Sequence, residues 1–140
     1  MREQAEINAP DGFMTYWKAD VTGLMATSPS GGNRTEYLMG NHVIAQRMFH
    51  HDPAVMLHAP LRTVLYADAD GRTHLAFDQP STIFASYGNP AVTKVCRHLD
   101  RLLADLLALL GAPVPAIPHG SKLPEPASKS TTEFQPGTAL

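Results

Sequence analysis

The segment NPAVTKVCRHLDRLLADLLALLG, residues 89–111, predicts a long amphipathic helix. Its apolar residues recur at helical spacing on one face: Val92, Val95, Cys96, Leu99, Leu102, Leu103, Leu106, Leu107 and Leu110. Asn89 can cap the first turn, Pro90 suits the first helical position, and Gly111 marks the end. A helix with one wide apolar face needs a second layer to cover it, and a sheet is the expected partner.

Two β-rich segments upstream of this helix supply part of that sheet. Residues 60–67 and 72–78 contain alternating apolar residues, as expected for half-buried strands. Between them lies the turn 68–71, whose Asp70-Gly71 pair tolerates positive φ. The pattern predicts an antiparallel hairpin.

Two further strands and a shorter helix are predicted nearer the N-terminus. The strands cover residues 13–19 and 35–39, and Asn41 can cap a helix that runs to about His50. Asp52-Pro53 can start another turn. We therefore expect an α+β protein with an antiparallel sheet of about four strands. It packs in two layers against the long C-terminal helix and the shorter central helix.

The composition favours one folded domain with a loose end. The chain has 140 residues, of which 44% are hydrophobic and 17% are charged. These values suit a globular protein of about modal domain size. After Gly111 the chain is rich in proline, serine and threonine and loses its apolar periodicity. We expect a single α+β domain over residues 1–112 and a Pro/Ser-rich disordered tail over residues 113–140.

Charge and cysteine content narrow the classes of function. A formal net charge of -2 gives no field that would attract a phosphate backbone, so no nucleic-acid partner is expected. No apolar run approaches the roughly 18 residues of a membrane span, so no membrane association is expected. The lone cysteine, Cys96, agrees with a cytoplasmic location. Its place in the apolar face of the C-terminal helix indicates an inert core thiol.

Several blocks of the sequence also carry a family likeness. YLMGN at 37–41, APLRTVLY at 59–66, DGR at 70–72 and DQP at 78–80 follow one another with characteristic gaps. From about residue 12 to residue 110 the chain resembles the bacterial family numbered 302 among the domains of unknown function. The resemblance implies an antiparallel sheet packed against helices and usually a homodimer, but it implies no reaction. The amphipathic helix that opens this family is expected to be missing, because residues 1–11 are few and polar.

A group of polar residues near the end of the central helix is the first candidate for chemistry. His50 or His51 can move a proton near neutral pH, with Asp52, Arg47 and Tyr66 as partners. Arg47 or Arg62 can steady a developing oxyanion, in a cleft between the central helix and the hairpin. The alternative is that these are ordinary polar residues at a helix end, where cationic side chains face the last carbonyl groups.

A metal site can be drawn from the same region. His42 and His50 are eight residues apart, which is about one face of a helix, and Asp52 follows. The spacing matches no established metal signature, so no metal is predicted. No motif identifies a cofactor.

Methionines and aromatic residues can also line an apolar pocket. We predict ligand contacts from Met48 and Trp17, with polar contacts from His42, His58 and Arg62 at the rim. The favoured interpretation is a homodimeric module that binds a hydrophobic small molecule. One alternative is a cofactor-independent enzyme that uses a histidine on such a molecule. The other is an accessory protein whose exposed sheet face docks a partner chain.

Overall fold

The structure has two layers: a sheet that includes the Asp-Gly hairpin and a layer of helices that includes the amphipathic segment. The computed structural model describes residues 7–27 and 32–115. Within them the strands are β1 (Met14–Asp20), β2 (Arg34–Gly40), β3 (Leu61–Ala67) and β4 (Thr73–Phe77). The α-helices are α1 (His42–Phe49), α2 (Pro80–Ile83) and α3 (Pro90–Leu109). Short 3-10 helices cover Gly23–Met25, Pro53–His58 and Phe84–Tyr87. The predicted α+β class is confirmed.

The four strands form one antiparallel sheet in the order β1-β2-β3-β4. Side chains alternate between its two faces, so Met39, Leu61 and Thr63 point into the core. Leu38 and Arg62, which lie opposite each other on β2 and β3, point to the outer face. The α-helices of the described residues pack on the side that carries Met39 and Leu61, which belong to the same core cluster as residues of the helices.

One irregularity in β1 decides which aromatic residue reaches which face. Thr15 is opposite Met39, but Trp17 rather than Tyr16 is opposite Leu38. Tyr16 is therefore the extra residue of a β-bulge, a feature that redirects side chains at the edges of sheets.

Among the described residues, helix α3 supplies more of the buried apolar side chains than any other element. Its buried apolar residues are Val92, Val95, Cys96, Leu99, Leu103 and Leu107. Asn89 caps it as predicted, accepting hydrogen bonds from the backbone N–H groups of Ala91 and Val92. Leu110 is exposed, contrary to its place in the predicted apolar face, because the helix ends at Leu109.

Cys96 lies fully buried beneath α1, as its place in the apolar face predicts. Its Sγ is 3.5 Å from the Sδ of Met48. Burial raises the pKa of the Cys96 thiol to about 12, and the nearby carboxylate of Asp100 adds to this rise. A thiol with this pKa stays protonated at neutral pH, so Cys96 is a packing residue.

The segment ahead of β1 differs from the expectation. Ile7 and Asn8 have helical backbone, so the prediction that no helix precedes the first strand is wrong for these two residues. Ala9 is buried, and the N–H of Gly12 donates to its carbonyl oxygen. The remainder of that prediction, residues 1–6, and the predicted disordered tail from residue 116 onward lie outside the described residues.

Candidate functional site

An apolar cleft opens between the start of α1, the start of β1 and the segment that leads into β3. Its volume is about 280 Å³. It is lined by Phe13, Tyr16, Gly40, Asn41, His42, Ile44, Ala45, Met48, Met56, Ala59, Pro60, Leu61, Phe84 and Leu99. Ile44, Met48, Leu61, Phe84 and Leu99 also belong to the buried core, so the cleft is a place where the core reaches solvent.

The polar groups of the cleft are gathered at the first turn of α1. Asn41 caps this helix: its Oδ1 accepts from the backbone N–H groups of Val43 and Ile44 at 3.0 and 3.4 Å. Its Nδ2 donates to the carbonyl oxygen of Gly12 at 3.2 Å. Gly12 has a φ of 85°, a conformation that favours glycine. The hydrogen bond from Asn41 to Gly12 fixes the start of β1 against the start of α1.

Tyr16 closes the same turn from the other side of the cleft. Its Oη accepts a hydrogen bond from the backbone N–H of His42 and lies 3.1 Å from His42 Nδ1. The bulge in β1 allows this contact, since it releases Tyr16 from the regular alternation of the strand. A phenol and an imidazole thus form a hydrogen-bonded pair at an otherwise apolar cleft.

The backbone N–H groups of this turn are all in use. His42 donates to Tyr16, Val43 and Ile44 donate to the Asn41 side chain, and the Ala45 N–H donates to the Asn41 carbonyl. A free helix N-terminus attracts anions, but this one has no spare donors. Among the described lining residues there is also no Lys, Arg, Asp or Glu.

The residues predicted to be catalytic cluster only in part. His50 and His51 lie at the other end of α1, with ring centroids 5.5 Å apart, and both are exposed. Arg47 and His50 line an open groove of about 430 Å³ on the solvent side of α1. Asp52 is next in the chain, but its carboxylate accepts from the Ala54 N–H and caps the following 3-10 helix.

Tyr66 does not join this group. It lies on the outer face of the sheet, opposite His74 on β4, and the two rings stack with centroids 5.1 Å apart. The placement of Tyr66 near a cleft beside α1 is therefore wrong. Two-residue alternation along β3 explains this, because Tyr66 shares a face with Arg62 and not with the buried Leu61.

The predicted ligand-binding residues are divided in the same way. His42 and Met48 line the cleft. Arg62 and Trp17 lie on the outer face, where Arg62 forms an ion pair with Glu36 at 3.5 Å. Without the bulge at Tyr16, Trp17 would share the inner face with Tyr37. The bulge is therefore the physical reason that Trp17 points away from the cleft.

His58 lies just behind the cleft wall. It is exposed, and its ring meets the ring of Phe84 edge-on with centroids 5.8 Å apart. Phe84 in turn lines the cleft. His58 is therefore one side chain removed from the apolar space.

Two residues of this region were missed from the sequence. Tyr16 lies on the predicted strand 13–19 but was not among the predicted site residues, and no sequence signal marks its bulge. His98 on α3 has a pKa below its usual value because of desolvation and of the nearby Arg47 and Arg101 guanidinium groups. Arg47 therefore lies near enough to His98 to act on it electrostatically, a relation that depends on the packing of α1 against α3.

Residues 7–27 and 32–115 contain neither a cluster of metal ligands nor a membrane-spanning helix. In this part of the chain no group of three or more His, Cys, Asp or Glu residues is arranged to hold a metal ion. No helix there is both long and apolar enough to cross a bilayer.

The architecture and the cleft define a class: an α+β protein with one layer of helices on a four-stranded antiparallel sheet and an apolar opening at the sheet end. The model of the family "Domain of unknown function DUF302" matches residues 4–110, and the chain belongs to this family. The fold is similar to that of a crystal structure described as an uncharacterized conserved protein DUF302 from Bacillus stearothermophilus. That match has a TM-score of 0.61 at 21% identity and covers 75% of this chain and 84% of the other. No curated protein matches the chain.

Proposed function

We propose that this protein binds a small apolar molecule in the cleft beside α1. The observation that carries the proposal is the lining: core residues such as Ile44, Met48 and Leu61 border an opening of about 280 Å³. A small apolar molecule seated in the cleft would remove this apolar lining from water, which favours binding. A cavity of roughly 150 Å³ already holds benzene, so this cleft suits a one-ring or short-chain molecule.

A homodimer in the cytoplasm is the expected setting of this binding. Exposed apolar side chains support the dimer: Tyr16, Trp17, Phe49, Met56 and Leu57 are each at least 45% exposed. Such side chains gain stability when a second copy covers them. The buried, unreactive Cys96 is compatible with a reducing compartment.

Acid–base catalysis on a hydrophobic substrate is the second candidate. It is favoured by the Tyr16–His42 pair, whose Oη and Nδ1 atoms are 3.1 Å apart at the same cleft. Phenol and imidazole are both groups that transfer protons in enzymes. Under this candidate His42 replaces His50 or His51 as the acting base.

Binding is tested with 4-fluorotoluene, a neutral one-ring probe followed by 19F NMR. We expect saturable binding to the wild-type protein. Ala45→Leu adds three carbon atoms to the cleft wall and is expected to weaken binding at least about fivefold, a change of about 1 kcal/mol.

Ala108→Leu is the matched control, because it makes the same substitution at an exposed position of α3. It is expected to leave the dissociation constant unchanged. Equal affinities of the two variants for the probe, with both folded by circular dichroism, would contradict binding in the cleft.

A further inference from the structure

Aromatic side chains line the cleft from two distant parts of the chain. Phe13 precedes β1, Tyr16 is the bulge residue of β1, and Phe84 begins the 3-10 helix Phe84–Tyr87. The fold thus gathers three aromatic residues around one apolar space. Aromatic rings attract one another in edge-to-face and offset arrangements, beyond the effect of the area that they bury. A ring in the cleft has more partners of this kind than a saturated molecule has.

The ring of Phe84 is held in place by its neighbours. Phe84 is 1% exposed, and the rings of His58 and Tyr87 each lie with their centroids 5.8 Å from its own. Tyr87 Oη donates to the carbonyl oxygen of Ala54 at 2.8 Å, which fixes Tyr87 in turn. Because an already ordered side chain loses little conformational entropy on binding, Phe84 offers its contact to a ligand at low cost.

Met56 adds a thioether side chain to the lining. It lies on the 3-10 helix Pro53–His58 and is 49% exposed. Thioether sulfur atoms make favourable contacts with aromatic rings, often at the ring edge. Met48 also lines the cleft, but its Sδ is 3.5 Å from the Sγ of the buried Cys96. Met56 is therefore the thioether that is better placed to meet a ligand.

The lining offers nothing that would compensate a charge on the ligand. No Lys, Arg, Asp or Glu is found among the described residues that line the cleft, and the surface that they present is almost entirely apolar. Transfer of an unpaired charge from water into such surroundings is costly. A charged ligand is therefore disfavoured.

From this lining we infer that the ligand of the cleft is a neutral aromatic molecule, and not a saturated chain or ring of the same size. Its ring packs against Phe13 and Phe84, and Met56 contacts it at the mouth of the cleft. This inference rests on the proposed function and names the class of ligand for it.

The test compares toluene with methylcyclohexane, which has the same carbon skeleton without the aromatic ring. Dissociation constants come from displacement of 4-fluorotoluene. The two ligands differ in their free energies of transfer from water, but this difference cancels when each ligand is compared between wild type and a variant. The double variant Phe13→Leu/Met56→Leu removes one ring and the thioether and keeps apolar side chains at both positions.

In the double variant we expect toluene to bind about fivefold more weakly, while the affinity for methylcyclohexane stays within about twofold. Met14→Leu/Phe49→Leu is the matched control, because it makes the same two exchanges at residues that do not line the cleft, and it should alter neither affinity. If the double variant fails to fold, Met56→Leu alone, at a half-exposed position, should weaken toluene binding about threefold and leave methylcyclohexane binding unchanged.

Two results would overturn the inference while leaving the proposed function in place. One is a loss of affinity for toluene that is no greater than the loss for methylcyclohexane in the folded variant. The other is tighter binding of benzoate than of toluene to the wild-type protein at pH 7.5. Failure of toluene, methylcyclohexane and 4-fluorotoluene to bind at all would instead overturn the proposed function itself.

Discussion

The two ends of helix α1 carry histidines in very different surroundings. At the first end, His42 meets Tyr16, which lies 26 residues earlier in the chain, and both line an apolar cleft. At the last end, His50 and His51 are neighbours in sequence and lie exposed above an open groove. His50 and His51 lie close together because they are neighbours in the sequence. His42 and Tyr16 are distant in the sequence, and the fold brings them together.

The difference is one of environment as well as of neighbours. His42 is half-buried beside the apolar lining of the cleft, and its partner Tyr16 is 48% exposed. At the exposed end, water competes for every polar group and weakens any interaction. His42 is therefore the histidine that lies beside the proposed ligand site, whereas His50 and His51 lie away from it.

The largest expected effect is a loss of folding stability when a side chain on the buried face of α1 is truncated. Met48 is 2% exposed, touches Cys96 and lines the cleft. Met48→Ala should lower the free energy of unfolding by about 2–5 kcal/mol, measured by urea denaturation. Gln46→Ala, on the exposed side of the same helix, should change it by less than about 0.5 kcal/mol. Similar small losses for both variants would mean that packing does not fix α1.

The cap at the first end should have the next largest effect. Asn41→Ala removes the acceptor of two N–H groups and should cost about 1 kcal/mol in thermal or urea unfolding. Asn41→Asp keeps a capping oxygen and loses only the donor to Gly12, so it should recover most of the stability. An Asp variant as unstable as the Ala variant would show that the Gly12 contact, and not the cap, stabilises this turn.

Removal of the exposed histidines should have little effect on either stability or binding. For His50→Ala/His51→Ala we expect an unfolding free energy within about 0.5 kcal/mol of wild type. The dissociation constant for 4-fluorotoluene, from 19F NMR, should stay within about twofold. A clear loss of binding in this folded variant would reverse the comparison and restore these histidines as the functional pair.

The smallest expected effect is a pH dependence of stability that arises from His98 on α3, near Arg47 at the end of α1. His98 has a lowered pKa because of desolvation, then of Arg47 and Arg101, so its folded form favours the neutral ring. Its contribution to stability is therefore present above pH about 6.5 and is lost as the pH falls from there through the folded pKa. Arg47→Gln should raise the pKa of His98 in a proton NMR titration. Arg62→Gln, on the outer sheet face, should leave it unchanged, and a pKa that moves equally in both would exclude a specific effect of Arg47.

Most of the architecture could be predicted from local patterns. The N-cap at Asn89, the periodic apolar residues of α3 and the Asp-Gly turn each act through neighbouring residues, and all three appear in the structure as expected. The predicted bounds of the strands and helices differ from the observed ones by one or two residues, the usual uncertainty at fraying ends.

The site was less accessible because it depends on contacts between distant segments. The bulge at Tyr16 shifts Trp17 to the outer face and frees Tyr16 for His42, yet no residue pattern announces it. Met48 and His42, predicted to contact a ligand, line the cleft, and their contact with a ligand stays a prediction. Tyr66, Arg62 and Trp17 were assigned without knowledge of which sheet face the helices cover.

The position of a bound ligand tests the central claim most directly. With 4-fluorotoluene added to protein that carries labelled methyl groups, intermolecular nuclear Overhauser effects should connect the ligand to Ile44, Met48 and Leu61. Effects confined to Leu38 and Val64 on the outer sheet face, or the absence of any effect at saturating ligand, would contradict binding in the cleft.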